Sequence, residues 1–260
     1  MPIIQNGSYY VYQQNVKNRQ KNHKIMPFFV FLMIIFVVFC VFYAFKQFDF
    51  VKVFNMNKYL IFEQKTYYAV SILSGDREEI VANQTMAKAG GSAGYIYQSN
   101  QKYYLLANIY NSFDDANSVV QKLTEYQAEI VKIDLDRLIL SAEYTPEQLS
   151  TLKYVLNGVN RSVDTITNIV TSFDRGEILE GEAKQKLQVF ANSCQQDKET
   201  LANAFPLCCD NIVAYAKIFC SQTASNANAT NLSTNFSSDA KRLMIEIVFN
   251  FVDLQKNVKK

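Results

Sequence analysis

The sequence holds one histidine, His23, and no tryptophan. His23 lies ahead of a long apolar run, so chemistry that needs an imidazole, such as a zinc amidase or a Ser-His-Asp hydrolase, is excluded from the chain beyond it. No Asp or Glu precedes that run, whereas Lys17, Arg19, Lys21 and Lys24 do. The net charge of +2 therefore conceals a basic tail followed by a slightly acidic remainder. That remainder has no continuous basic stripe, which argues against a nucleic-acid partner. Glycine is also scarce, and Gly90, Gly91 and Gly94 lack the Lys-Ser/Thr that a phosphate loop requires. The cysteines Cys40, Cys194, Cys208, Cys209 and Cys220 fit no zinc spacing, so neither metal nor cofactor is expected. They read as small buried apolar side chains, the alternative being a disulfide from Cys194 to Cys208, Cys209 or Cys220.

Residues 26–45 read MPFFVFLMIIFVVFCVFYAF, twenty residues without a charge. A helix of that length covers about 30 Å of hydrocarbon, and a cleavable signal would have a shorter core ending in small residues. The sequence therefore predicts a single transmembrane helix at 26–45, preceded by a basic cytoplasmic tail at 1–25 and followed by a connector at 46–65. The basic residues before the run place the N-terminus in the cytoplasm and the C-terminal part outside it, at the cell membrane.

From 66 to 140 the apolar period switches repeatedly. Tyr68, Val70 and Ile72 alternate with Ala69 and Ser71 as in a strand, and Asp76 starts a helix that runs to about Ala89. A strand through Tyr95, Ile96 and Tyr97 follows, then a turn at Ser-Asn-Gln and a strand from Tyr103 to Ile109. Ser112 caps a second helix, and 129–135 forms the last strand. The order β-α-β-β-α-β folds most simply as a four-stranded antiparallel sheet with both helices on one face, a ferredoxin-like arrangement. The other face is then open, with Ala69, Ser71, Tyr104 and Leu106 on it and Tyr95 and Tyr97 together on one side of their strand.

The stretches YYAVSILSGDREEIVANQTMAKAGG, YIYQSNQKYYLLANIYNSFDDANSVVQKL and EIVKIDL resemble a SPOR domain, the cell-wall-binding module of bacterial division and sporulation proteins. The resemblance covers about 75 residues and is carried by a Tyr-led strand before each helix. It implies binding of peptidoglycan glycan strands, with division or sporulation proteins as further partners. The family's polar positions on the open face fall on Ser71, Tyr104 and Leu106. With Tyr95, Tyr97 and Asn108 these form the candidate glycan site: tyrosine rings offer flat surfaces to sugar C–H groups, and Ser71 and Asn108 offer hydrogen bonds. Wall binding in this form needs the face to stay bare.

The segment 145–260 is predicted as an antiparallel helical bundle. Thr145, Pro146 and Gln148 start a long helix whose stripe runs from Leu149 to Phe173. A second helix spans about 177–204, a third opens at Pro206, and a last one carries Leu243, Met244, Ile247, Val248, Phe251 and Leu254. Residues 221–237, rich in Asn, Ser and Thr, read as a flexible loop. Such a bundle serves as a spacer or for self-association, because no inward carboxylate and histidine pairs appear. The pairs Glu78 with Glu79 and Asp114 with Asp115 sit in first helical turns, where the helix dipole explains them. The expected architecture is thus α+β: one N-terminal transmembrane helix, a SPOR-like domain and a C-terminal bundle. The expected function is non-catalytic wall binding, with a pure scaffold as the alternative.

Overall fold

The structure, a computed structural model, describes residues 59–141, 144–206 and 210–258. The tail at 1–25, the apolar run at 26–45 and the cysteines at 40, 208 and 209 lie outside the described residues.

Strand β1 (Tyr59–Phe62) leads into β2 (Lys65–Gly75), helix α1 (Arg77–Ala89), β3 (Tyr95–Ser99), β4 (Lys102–Tyr110), helix α2 (Phe113–Val120), β5 (Glu129–Leu135) and β6 (Leu138–Ser141). Strands β2 to β5 form one antiparallel sheet in the order β3-β4-β2-β5, while β1 and β6 pair as a separate two-stranded ribbon. Asn100 and Gln101 take positive φ in the two-residue link between β3 and β4, a turn whose twist suits a tight hairpin. The Ser112 hydroxyl accepts from the Asp114 and Asp115 amides, the cap expected from sequence. The ribbon was not anticipated: β1 falls within the expected connector, and β6 extends the chain beyond the last expected strand.

Five helices follow: α3 (Pro146–Leu156), α4 (Gly158–Asp174), α5 (Glu180–Ala204), α6 (Asn211–Asn231) and α7 (Phe236–Val258). Thr145 and Gln148 close a reciprocal capping box at the start of α3. The single long helix expected after it is broken at Asn157, where α4 begins. The expected loop at 221–237 is corrected: α6 continues to Asn231 and α7 starts at Phe236, leaving a short link. Its polar composition misleads because Ala224, Ala227 and Thr230 recur at helical spacing on a buried stripe.

The expected architecture is corrected on one further point: sheet and bundle are not separate domains, since residues 57–260 form one compact unit. Among the described residues no helix is long and apolar enough to cross a membrane, and the run at 26–45 lies outside them. Tyr67, Ala69, Leu106, Ile109, Ile133 and Leu135 of the sheet share a continuous core with the stripes of α3 to α7, whereas Ile72, Leu105 and Ile80 form a smaller core under α1. The sheet is therefore covered on both sides.

Candidate functional site

The face of the sheet away from α1 and α2 is set by its register. Tyr95 pairs with Leu106 and Tyr97 with Tyr104, which brings the three expected tyrosines and Leu106 together on one face. Ser71 pairs with Leu106 and joins them. Asn108 does not. The β2–β4 register shifts between Val70 and Ser71 and again between Ser71 and Leu73, so that Ala107 and Ile72 have no partner across the ladder. Each extra residue reverses the alternation of side chains beyond it. Leu106 and Ile109 consequently share the bundle side, while Asn108 and Tyr110 turn towards α1 and α2.

The two polar candidates serve these irregularities. The Ser71 hydroxyl donates to the Leu73 carbonyl at 2.8 Å and lies 3.4 Å from that of Leu105, filling acceptors that the shifted ladder leaves over. The Asn108 carbonyl oxygen accepts from the Ile109 N–H at 2.9 Å, and its amide donates to the Tyr110 oxygen at 2.9 Å.

Helices α4 and α7 close the face. Ser71 and Leu106 are 0% exposed. The Phe249 ring of α7 stacks on Tyr95 at 5.4 Å between centroids, and Tyr97 lies 4.7 Å from the same ring. Tyr97 also contacts Tyr104 at 6.1 Å. From α4, the Asn160 side-chain oxygen accepts a hydrogen bond from the Tyr67 hydroxyl, which anchors β2 beneath the helix. Burial, reinforced by the charge of Asp164, pushes the Tyr67 pKa up and keeps the phenol neutral. The edges are pinned as well: Lys241 donates to the Gly91 carbonyl at 3.0 Å, Ser238 to that of Ser92, and Lys88 pairs with Asp239 at 2.8 Å. Where α7 ends, Gln255 donates to the Asp136 carbonyl at 3.0 Å.

The glycan site expected on Ser71, Tyr95, Tyr97, Tyr104, Leu106 and Asn108 is therefore corrected. Two of its members are sealed in the core, three half-buried rings are occupied by α7 or one another, and Asn108 faces the opposite side. A sugar chain has no ledge here while α7 is docked. A signal for this was present in sequence: besides the expected stripe, α7 carries Ile245, Phe249 and Val252 at helical spacing on another face. A helix apolar on more than one face is packed between layers.

Other chemistry is limited. No group of three or more His, Cys, Asp or Glu among the described residues could hold a metal ion. Cys194 and Cys220 are free and buried, so the expected alternative of a bond between these two is not formed.

Comparison with known proteins identifies no relative. No protein-family model, no curated protein and no solved structure matches the chain.

Proposed function

We propose that the chain is a non-catalytic scaffold, in which the βαββαβ half is a platform for the bundle and the bundle presents the surface that a protein partner takes. The observation that carries this reading is the docking of α7 across the sheet: the surface that sugar would need is spent on holding the two halves together. Exposed apolar side chains on the bundle support it. Leu179 is 81% exposed, Val189 65% and Leu232 86%. They lie along one half of the α5–α6 pair, whose register is fixed by Lys184 donating to the Ser233 carbonyl at 3.0 Å and Gln188 to Asn228 at 3.0 Å. Apolar side chains this exposed offer area that a protein partner would cover.

Location follows from sequence alone: the uncharged run at 26–45 and the basic residues before it support attachment at the cell membrane with the folded body on its outer side. Peptidoglycan binding through the sheet, which the SPOR-like phrasing of the strands supports, ranks second because it requires α7 to leave.

Sedimentation with purified peptidoglycan sacculi separates the two. Under the scaffold reading the intact chain stays in the supernatant, and its retention by sacculi, lost on Tyr104→Ala, would overturn it.

A further inference from the structure

On the other side of the sheet, between it and helices α1 and α2, lies a cavity of about 360 Å³. That volume falls within the range of small-molecule sites. Its origin is local. Helix α2 is only eight residues long, and small residues occupy Ala87, Gly90, Gly91 and Ala107 where larger ones would fill the space. Leu105 and Ile72 form its floor, with Met86 and Leu123 as walls. The Met86 side chain is largely exposed at the mouth, so the space communicates with solvent.

One end is polar, and it is built. The ladder shift at Ala107 turns Asn108 and Tyr110 into the cavity. Because the Asn108 amide already donates to the Tyr110 oxygen, the hydroxyl proton of Tyr110 is the group left to offer outward. Lys241 also reaches this wall, but its ammonium is held by Asp174 at 2.7 Å and by the Gly91 carbonyl at 3.0 Å. Its charge is thus neutralised. Burial raises the Tyr110 pKa, its hydrogen bond from Asn108 lowers it less, and the fields of Asp115 and Asp174 add to the rise, so the phenol stays protonated and offers its proton to a neutral acceptor.

We propose that this cavity binds a neutral, mainly apolar small molecule with one carbonyl acceptor, seated against Ile72, Leu105 and Leu123 and taking the Tyr110 O–H. Apolar burial supplies most of the affinity, while the single hydrogen bond fixes orientation. The site is independent of the scaffold surface, which lies on other helices.

Benzophenone, a neutral diaryl ketone, is a suitable probe on the full chain in detergent micelles. On irradiation its excited carbonyl takes a hydrogen atom from a nearby C–H, and the two carbon radicals join in a new C–C bond. Saturable labelling of the tryptic peptide 78–88, which carries Met86, is expected. Ala107→Phe should lower it at least tenfold. Tyr110→Phe should weaken benzophenone about three- to tenfold, as for a lost hydrogen bond, but leave competition by diphenylmethane unchanged. Labelling of 78–88 that never saturates, or that persists undiminished in a folded Ala107→Phe chain, overturns the proposal. Should Ala107→Phe not fold, Ala87→Leu narrows the same cavity from α1, and undiminished labelling there has the same meaning. Equal loss of benzophenone and diphenylmethane in Tyr110→Phe would overturn the hydrogen-bond assignment.

Discussion

Phe249 lies parallel to Tyr95, with 5.4 Å between ring centroids and 5° between planes. Through this contact a helix near the C-terminus closes a sheet formed about 150 residues earlier in the chain. Phe249→Ala is expected to cost about 2 kcal/mol, less than a fully buried Phe because the ring is only half-buried. Urea unfolding of the full chain measures it, and a change under 0.5 kcal/mol would mean that the stack contributes little to docking.

Leu106→Lys discriminates most sharply between a closed and an open face. On a bare surface the change would be tolerated, whereas at a position with 0% exposure the ammonium is buried without a partner. A loss of about 3 kcal/mol or more is expected, enough to unfold a marginal protein. A Leu106→Lys chain with wild-type circular dichroism and melting temperature would refute the closed sheet.

Cys194 and Cys220 sit between α5 and the neighbouring helices, and burial pushes both thiols up to about 12, with Asp197 adding to it. Both should resist iodoacetamide at pH 8 in the folded chain and react readily in urea, because only the thiolate attacks. In the unfolded chain they ionise near 9, so there the unfolded state releases its protons first. Stability is accordingly full below about pH 8.5 and declines as pH rises towards 12. Tyr67, shifted in the same direction, adds to the decline at its alkaline end. A flat stability profile from pH 8 to 11 would contradict the burial of these groups.

Asp239 ties the start of α7 to α1. Burial by itself would raise its pKa, but hydrogen bonds with Lys88 and Ser233 outweigh it and hold the carboxyl below its usual range. Its contribution is present above the unfolded value of 3.8 and vanishes as pH falls through the depressed one. Asp239→Asn should therefore cost about 1 kcal/mol at pH 7 and clearly less near pH 2. Unfolding curves at the two pH values test this, and an equal cost at both would remove the ion pair as its cause.

Local signals along the chain were strong enough to mark the sheet strands, the Ser112 and Thr145 caps and the order β-α-β-β-α-β. Alternation of apolar residues, capping hydroxyls and turn residues act within a few positions of each other, so they can be read in one dimension. The same reading failed at 221–237, where small residues pack well in a helix although their composition resembles a linker.

Sequence by itself thus determined the four sheet strands and the two helices between them, the absence of histidine chemistry beyond residue 23 and the uncharged run ahead of the fold. Only the tertiary structure decided that neither sheet face is bare. A one-residue shift at Ala107 moved Asn108 and Tyr110 from one side to the other, and Phe249 turned an apparent binding surface into core. Both effects depend on partners far apart in sequence, whose register and docking are settled by burying the most apolar area at once.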